Sequence, residues 1–398
     1  MANARMNIAV VFDGELETGG GYQQQLSTIL ELQKLNKYNF IGVVFSTDNK
    51  NLLESYGIKS VLVKKSFIDK VFRFIQRQEW FFLFSAKLKI KSLFELMLDK
   101  NDIDLVYFLA PSGLSLDLLT HNYITTVWDL CHRDTPEFPE VNHFRQFELR
   151  EQNYSKSLKK AVAVLVDSEL GKKNVVRRYG VDKNRVYPAS FLPSINVNSK
   201  NVVDVKKKYG IEGDYIFYPA QFWSHKNHIY IIDALVSLIN EGVKLTAVFS
   251  GSDKGNLKHV LKYSESQGVA AQVKYIGFAP NEEMYSLYKQ SLAMVMPSYF
   301  GPTNIPPLEA FAVGTPVIYS DLNGLREQVA GAALLCDLKD PKSLASHLKA
   351  LLNSEEVRQR LIEKGTQRLA ELEKTSITAV IETILDDYAV KLKCWKAG

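Results

Sequence analysis

The sequence predicts an α/β protein made of two domains, each built on a doubly wound parallel β-sheet. Short β-branched or aromatic runs alternate with helical segments along both halves of the chain, and parallel strands joined by helices produce this alternation. The length of 398 residues also exceeds what a single hydrophobic core usually holds. Two similar halves of this kind predict a ligand-binding cleft between two nucleotide-binding-type domains.

The composition is that of an ordinary globular protein, with 46% hydrophobic and 23% charged residues. A formal net charge of +5 is only mildly basic, and it does not by itself indicate a nucleic acid partner. The scattered cysteines Cys131, Cys336 and Cys394 predict neither a disulfide framework nor a zinc site. The apolar run at 7–12 is too short for a signal peptide or a membrane span, so we expect a cytoplasmic protein.

The first half of the chain contains a series of strand-like runs separated by helical segments. These runs cover residues 8–12, 40–45, 60–63, 105–109, 123–127 and 162–166. Gly20 and Gly21 belong to a glycine cluster that follows the first run, where the backbone either approaches a ligand closely or forms a plain flexible loop. The glycine spacing does not match G-x-G-x-x-G, which disfavours an NAD-dependent enzyme.

Residues 59–91 combine nine basic and seven aromatic residues with only two acids. Basic residues on one helical face and aromatic residues on the other would let this segment lie in an anionic membrane interface. In the alternative interpretation, the aromatic side chains face the protein core and the lysines face water. The sequence leaves both interpretations open.

The segment that follows the strand-like run at 123–127 is rich in ionisable groups, which include Asp129 and His132. Ligands of open α/β sheets bind beyond the carboxyl ends of the strands, so both residues are candidate site residues. A single histidine near a turn is also compatible with a structural role.

The second half of the chain repeats the alternation after a stretch of prolines, serines and asparagines at 187–208, which indicates a linker. Its strand-like runs cover residues 215–219, 245–249, 273–276, 293–296, 317–319 and 332–335. We therefore predict an N-terminal domain at 1–190, a linker at 191–210, a C-terminal domain at 211–375 and a final helix at 376–398 that crosses back to the first domain.

The stretch at 299–316 predicts a loop followed by a short helix. Pro306 and Pro307 suit the first helical turn, and Gly314 suits the residue just past the helix end. Glu309 then falls in the first turn, and a helix start of this kind is an anion site. Glu309 either complements the helix dipole or accepts hydrogen bonds from a sugar diol.

Several short motifs of the chain resemble those of the family four glycosyltransferases. They are VDSE at 166–169, YGV at 179–181, AQFWSHKN at 220–227, FSG at 249–251 and GF at 277–278. The stretch at 299–316 resembles the family's segment with two glutamates eight positions apart. The resemblance spans almost the whole chain, and it implies the two-domain GT-B fold and a retaining sugar transfer.

Glu309 aligns with the second glutamate of that pair, which in the family binds the nucleotide ribose, and this favours the functional interpretation. Gly301 stands at the position of the first glutamate. The resemblance implies that Thr303, Asn304 and Ile305 hold the donor sugar and the diphosphate through backbone N–H groups or through the Thr and Asn side chains.

Lys226 aligns with the family's diphosphate-binding lysine. The arginine expected five positions earlier is replaced by Gln221, so His225 is a candidate substitute donor, and Arg326 is another. The remaining predicted donor-binding residues are Gln221 itself, Gly251 and Phe278 in the second half, and Gly20 and Gly21 in the first.

Asp129 matches the aspartate of the family's histidine–aspartate pair, whereas Trp128 stands at the position of the histidine. His132 is a candidate replacement for that histidine. The resemblance therefore gives Lys226, Asp129 and His132 as candidate catalytic residues.

The resemblance implies an enzyme that transfers a hexose from a nucleoside diphosphate sugar to a glycan, with retention of the anomeric configuration. A lipid-linked surface-polysaccharide intermediate of the O-antigen or capsule type is the expected acceptor, because it fits the basic and aromatic segment at 59–91. We expect no metal, cofactor or nucleic acid, and a location in the cytoplasm at the inner face of the plasma membrane. Two alternatives stay open: a non-catalytic subunit that binds nucleotide sugars, indicated by Gly301 and Gln221, and a GT-B-fold sugar nucleotide epimerase.

Overall fold

The structure, a computed structural model, describes residues 5–14, 20–63, 87–88, 90–191, 193–194, 202–301 and 303–396. Most of the basic and aromatic segment predicted at 59–91 lies outside the described residues, so its two interpretations stay predictions. The chain divides into two compact units. Unit 1 consists of Met1–Trp128, Glu148–Ala189 and Ser376–Gly398, and unit 2 consists of Asp129–Phe147 and Ser190–Thr375.

The described residues form thirteen strands and sixteen α-helices. The strands are β1 (Asn7–Phe12), β2 (Asn39–Val44), β3 (Ser60–Leu62), β4 (Leu105–Phe108), β5 (Tyr123–Val127), β6 (Ala163–Val166), β7 (Val186–Pro188), β8 (Tyr215–Pro219), β9 (Thr246–Ser250), β10 (Val273–Tyr275), β11 (Ala293–Met296), β12 (Val317–Ser320) and β13 (Leu334–Cys336). The helices are α1 (Gly20–Leu32), α2 (Thr47–Ser55), α3 (Leu93–Lys100), α4 (Cys131–Asp134), α5 (Pro139–Asn142), α6 (Gln146–Lys160), α7 (Glu169–Tyr179), α8 (Val205–Tyr209), α9 (His228–Asn240), α10 (Leu257–Ser266), α11 (Asn281–Lys289), α12 (Ile305–Val313), α13 (Asn323–Val329), α14 (Pro341–Asn353), α15 (Glu355–Glu373) and α16 (Ile377–Leu392).

Unit 1 is built on a seven-stranded parallel sheet in the order β3-β2-β1-β4-β5-β6-β7. The central strands are continuous apolar runs, and Ala9, Val10 and Phe12 of β1 have no exposed surface. Helices therefore cover both faces of this sheet, as the sequence predicts. Strand order reverses between β1 and β4, where Asp13 accepts a hydrogen bond from the Ser112 hydroxyl at 2.7 Å.

Unit 2 is built on a six-stranded parallel sheet in the order β10-β9-β8-β11-β12-β13. Its strand order reverses between β8 and β11, which are neighbours in the sheet. The connections that follow two such strands run in opposite directions and leave a crevice at the carboxyl ends of the strands. Open α/β sheets bind ligands in this crevice. The loops at 220–227 and 297–304 leave the sheet at this point.

Helix α12 confirms the short helix predicted after the loop, but it begins one residue earlier than predicted. The helix begins at Ile305, its prolines occupy the second and third positions, and Gly314 ends it in the left-handed conformation at φ 76°. Because the helix begins one residue earlier than Pro306, Glu309 is its fifth residue and lies in the second turn. The prediction that Glu309 falls in the first turn was wrong.

Helix α16 belongs to unit 1, although it lies at the far end of the sequence. Its Asp386 accepts hydrogen bonds from Lys37 and Tyr38. Its Tyr388 hydroxyl accepts from Asn122 and donates to the backbone carbonyl of Asp104, each at 3.1 Å. Within the part of the chain that the structure describes, no helix combines the length and apolarity needed to cross a membrane.

Candidate functional site

Two of the predicted residues of the second half, Lys226 and Asn304, come together at the switch point of unit 2. Lys226 ends a single 3₁₀ turn at 224–226, and its backbone carbonyl accepts a hydrogen bond from the Tyr218 hydroxyl at 2.7 Å. Its Nζ donates to Asn304 Oδ1 at 3.0 Å. The ammonium group from the loop after β8 is therefore placed against the start of α12.

The charge of Lys226 is set by burial and by nearby acidic groups. Burial lowers the pKa of Lys226 to about 8, while Cys131, Asp129 and Glu140 act in the opposite direction. Lys226 therefore remains protonated at neutral pH, but with a pKa that is close to the physiological range.

Asn304 is held by hydrogen bonds on three sides. Its Nδ2 donates to the Gly301 carbonyl at 2.8 Å and to the Tyr319 hydroxyl at 2.6 Å. Its backbone N–H donates to Gln328 Oε1 at 3.1 Å, and its carbonyl accepts from Gln328 Nε2 at 2.6 Å. Asn304 is the residue before α12, yet its side chain does not cap that helix. Instead, it positions Lys226.

The start of α12 offers fewer donors than the sequence predicts. An α-helix leaves about four N–H groups unpaired at its start. Here these belong to residues 304–307, of which Pro306 and Pro307 have no N–H and Asn304 donates to Gln328. Within the described part of this loop and helix start, the N–H of Ile305 is the donor that remains for an anion.

Gly301 explains why the first glutamate of the family's pair is absent. Its backbone is left-handed at φ 95°, a conformation that side chains rarely adopt. A Cβ at this position would lie 3.0 Å from Asn304 Oδ1 and 3.3 Å from Asn304 Nδ2. A side chain at position 301 would therefore be strained and would press against Asn304, the residue that binds Lys226.

His225 is paired with a residue that the sequence did not indicate. Glu140 Oε1 accepts a hydrogen bond from the His225 backbone N–H at 2.9 Å and another from its Nδ1. The imidazole stacks on the Phe300 ring, with centroids 3.7 Å apart. Burial lowers the pKa of His225 to about 4, against the opposing effect of Glu140. The ring is therefore neutral at pH 7 and does not supply the charge of the missing arginine.

The other candidate donors also have protein partners. Gln221 Oε1 accepts from Trp223 Nε1 at 2.9 Å. Arg326 is half exposed and forms an ion pair with Asp321.

Asp129 and His132 differ in accessibility. Asp129 Oδ1 accepts from the Cys131 N–H at 3.1 Å and from the Cys131 thiol at 2.6 Å, at the start of the short helix α4. Asp129 also belongs to the groups that raise the pKa of Lys226. His132 is completely buried and packs edge-on against Phe147 at 5.5 Å. A ring in that position cannot contact a ligand directly.

Glu309 is buried and has one neighbouring hydroxyl. It is 4% exposed, and its Oε2 accepts from the Tyr288 hydroxyl at 2.6 Å. Burial raises the pKa of Glu309 to about 7, and the Tyr288 hydrogen bond only partly offsets this effect. The carboxyl group therefore titrates near neutral pH.

The remaining predicted residues are spread over the two units. Gly251 follows β9 with φ 152°, and a Cβ there would lie 2.3 Å from the Ala220 carbonyl oxygen, so only glycine fits. Phe278 is 54% exposed in the loop after β10. Thr303 lies in the loop before α12, and Gly20 and Gly21 begin helix α1 of unit 1.

Sequence reasoning missed Phe138 and Glu140, which come from the segment at 129–147 and belong to unit 2. Phe138 contacts Tyr299 and Phe300, with ring centroids 5.4 and 5.6 Å apart. Glu140 lies 85 positions before its partner His225, and no local pattern signals a pair at that separation. Among the described residues, no group of three or more His, Cys, Asp or Glu side chains is arranged to hold a metal ion.

Two Rossmann-like units with parallel sheets define the class of protein, and solved structures confirm that this is the GT-B fold. A glycosyltransferase from Rickettsia africae has a TM-score of 0.72 at 14% identity, with 98% of this chain and 99% of that chain covered. Anabaena HepE, solved in complex with UDP and glucose, has a TM-score of 0.72 at 16% identity, with 98% and 100% covered.

The second half of the chain matches a known family model. Residues 204–368 match the model of the family Glycosyl transferases group 1, which confirms the resemblance identified from the motifs. O-antigen chain mannosyltransferase B of Escherichia coli is 24% identical over 248 residues, which are 61% of this chain and 64% of that protein. O-antigen chain mannosyltransferase RfbU of Salmonella typhimurium is 29% identical over 195 residues, which are 48% and 52% of the two chains. The matches thus span less than two thirds of either relative.

Proposed function

We propose that the protein is a retaining glycosyltransferase that moves a hexose from a nucleoside diphosphate sugar to a glycan. The observation that carries this proposal is the hydrogen bond between Lys226 Nζ and Asn304 Oδ1, which holds an ammonium group at the start of α12. A positive charge beside the positive end of a helix dipole favours a bound diphosphate. The family match and the O-antigen relatives support the same activity.

In this proposal, Lys226 and the N–H of Ile305 stabilise the departing diphosphate. Breaking the bond between the anomeric carbon and the phosphate oxygen leaves an oxocarbenium-like sugar and develops negative charge on that oxygen. Donors that are already in place before the bond breaks usually make the largest contribution to catalysis. The hydrogen bonds around Asn304 keep Lys226 in place.

Glu309 is the proposed ribose-binding residue. Among the residues that the structure describes, its carboxylate accepts a hydrogen bond from one donor, Tyr288, whereas a carboxylate has room for about four. A ribose diol would donate two further hydrogen bonds, each worth roughly 1.5 to 3 kcal/mol when the carboxylate is ionised. Nucleotide binding would therefore favour the ionised form of Glu309.

The proposed acceptor is a lipid-linked intermediate of a surface polysaccharide, at the inner face of the plasma membrane. The O-antigen relatives support this class of acceptor. The basic and aromatic composition of residues 59–91 supports contact with an anionic membrane. Leu88 in this segment, and Leu93 and Leu96 just after it, are each about half exposed.

Liposome flotation tests the membrane contact. Wild-type protein should float with vesicles that contain anionic lipid, and charge reversal at Lys64, Lys65, Arg73 and Arg77 should abolish flotation. Each basic residue near the surface contributes about 1 kcal/mol. Equal flotation of both proteins, or none of the wild type at moderate salt, would remove the membrane from the proposal.

A thermal-shift panel of nucleoside diphosphates and their sugars tests the donor site. A ligand at 100 times its dissociation constant stabilises the protein by about 2.7 kcal/mol. Glu309→Gln keeps the shape of the side chain and should lose most of this shift for the true nucleotide. Glu95→Gln, a change at a buried glutamate of unit 1, is the matched control and should keep it. An unchanged shift in Glu309→Gln would exclude Glu309 from the site.

Transfer assays with a lipid-linked acceptor test the role of Lys226. Lys226→Met should lower the rate about 100-fold to 1000-fold, because it removes a donor to the leaving group. Lys254→Met is the control, since Lys254 lies 5.9 Å above the Trp223 ring rather than at Asn304. NMR of the glycosidic bond in the product gives the anomeric configuration and so tests retention.

The two alternatives give different outcomes in the same assays. A non-catalytic binding subunit would show the thermal shift without transfer or hydrolysis of any sugar nucleotide. A sugar nucleotide epimerase would change the configuration of the donor when no acceptor is present.

A further inference from the structure

The loop before α12 has a glycine, Gly301, at the position where the resemblance to the glycosyltransferases implies a glutamate. The left-handed backbone of Gly301 makes a side chain there strained, and the position of its missing Cβ, 3.0 Å from Asn304 Oδ1, leaves such a side chain little room. Asn304 in turn holds Lys226 through a 3.0 Å hydrogen bond. Since position 301 has no side chain, a carboxylate that acts on the transferred sugar would come from another segment.

The segment at 129–147 brings a carboxylate to this position within unit 2. The Glu140 side chain is 8% exposed, and its Oε1 accepts from the backbone N–H and the Nδ1 of His225, the residue before Lys226. Phe138, two positions earlier, packs against Tyr299 and Phe300. Those two residues immediately precede Gly301. The segment therefore lies beside the loop in which glycine stands at the position of the family's first glutamate.

The contact with Glu140 determines which nitrogen of His225 carries the proton. Nδ1 donates to the carboxylate, and the neutral ring then leaves Nε2 as a hydrogen-bond acceptor. Stacking on Phe300 at 3.7 Å, with the ring planes 16° apart, fixes the orientation of the imidazole. Among the described residues, none forms a hydrogen bond with Nε2, and His225 keeps 7% of its surface exposed.

We propose that Glu140 and His225 replace the missing carboxylate as the element that recognises the transferred sugar. In this arrangement His225 Nε2 accepts a hydrogen bond from a sugar hydroxyl, and Glu140 is the positioning residue that holds the ring in the accepting tautomer. The inference rests on the proposed function, because it concerns the sugar of the same donor. It assigns the diphosphate to Lys226 and the sugar to the adjacent residue.

The test compares affinity for a nucleoside diphosphate with affinity for its sugar, by calorimetry on UDP with UDP-glucose and on GDP with GDP-mannose. His225→Phe keeps the ring stack but has no acceptor, and it should weaken binding of the preferred nucleotide sugar about fivefold to tenfold. Affinity for the matching nucleoside diphosphate should stay within twofold, because that ligand carries no sugar. A purely structural role of His225 would weaken both ligands equally, and that result would overturn the inference.

Variants of Glu140 separate positioning from packing. Glu140→Gln retains an oxygen that accepts from Nδ1 and should keep the sugar-dependent affinity, whereas Glu140→Ala should lose it to the same extent as His225→Phe. The matched control is Glu137→Ala, which removes an exposed acid of the same segment and should change nothing. Equal behaviour of Glu140→Ala and Glu137→Ala would overturn the role of Glu140.

The outcomes also distinguish this inference from the proposed function. A wild-type protein that binds no nucleotide sugar contradicts both. A wild-type protein that binds one, together with a His225→Phe variant that retains the full preference for the sugar, contradicts the inference alone.

Discussion

Glu95 in unit 1 and Glu309 in unit 2 are both buried glutamates, but their environments are opposite. Glu95 is completely buried and accepts from the N–H groups of Leu119, Thr120 and His121 at 2.7 to 3.2 Å. The Thr120 hydroxyl and the His121 ring add two further contacts. Glu309 accepts from the Tyr288 hydroxyl.

The pKa values of the two glutamates follow from these contacts. Burial alone would raise the pKa of Glu95, but hydrogen bonds from His121, Thr120 and Leu119 outweigh it and lower the pKa to about 2. Burial raises the pKa of Glu309 to about 7, because one hydroxyl does not compensate for the lost water. A buried acid whose acceptor sites are filled by its own chain organises the fold. A buried acid with few protein donors retains the capacity to bind a ligand.

The largest expected effect is the loss of stability in Glu95→Ala. This change leaves the N–H groups of residues 119–121 buried without their acceptor, and breaking a buried charged network costs about 3 to 5 kcal/mol. Urea unfolding should show this decrease at pH 7. Glu309→Gln, which keeps an acceptor for Tyr288 and carries no charge, should not lower the unfolding free energy at pH 7. If the two variants had the same unfolding free energy, the distinction between the two glutamates would be lost.

The next effect is a pair of opposite pH dependences of stability. The folded pKa of Glu95 is depressed from 4.5 to about 2, so its contribution of about 3 kcal/mol is present above pH 4.5 and is lost as the pH falls toward 2. The folded pKa of Glu309 is raised from 4.5 to about 7, so its contribution is present below pH 4.5 and is lost as the pH rises through 7. Thermal unfolding from pH 3 to 8 measures both.

Matched variants show which glutamate causes each of the two pH dependences of stability. Glu309→Gln should remove the decline in stability between pH 4.5 and 7, and should leave unchanged the loss of stability below pH 4.5. Glu95→Gln should do the reverse. A Glu309→Gln profile that still declines over the same range would assign that limb to another group.

Ligand affinity should show a smaller pH dependence with a maximum between pH 7 and 8. Binding of a ribose favours ionised Glu309 and binding of a diphosphate favours protonated Lys226, whose pKa values are about 7 and about 8. Affinity for a nucleotide sugar should fall up to tenfold per pH unit on either side. Glu309→Gln should flatten the acid limb and Lys226→Met the alkaline limb in calorimetric titrations.

The smallest effect is expected from Tyr288→Phe. This change removes the hydroxyl that donates to Glu309 at 2.6 Å, and should cost about 1 kcal/mol. Because that hydrogen bond lowers the pKa of Glu309, the acid limb of ligand binding should move to a higher pH. A limb that moves to a lower pH would contradict the environment described for Glu309.

Much of the fold could be predicted because its signals are local. Apolar runs of four to six residues mark the parallel strands, and Pro306, Pro307 and Gly314 mark the ends of α12. The three-residue strand β7 was missed, because it ends in a proline and lies where the composition indicates a linker. Short edge strands carry too little pattern to be recognised.

The candidate site could be predicted only in part. The motif resemblance indicated Lys226 and Glu309, because each lies in a short recognisable stretch. The pairing of Glu140 with His225 depends on tertiary contact across 85 positions. The reason for Gly301 depends on the side chain of Asn304, three positions later, and sequence alone does not show where that side chain points.

The final helix α16 has a consequence for the synthesis of the protein on the ribosome. Unit 2 ends at Thr375, whereas unit 1 also includes Ser376–Gly398, which is translated after unit 2. Domains generally fold as units, and the part that emerges first usually folds first. Here the order is reversed: the unit that begins the chain remains incomplete until after the unit with the nucleotide-binding motifs has been fully translated. Tyr38 and Asn122 can form their hydrogen bonds to α16 only after Asp386 and Tyr388 have been translated.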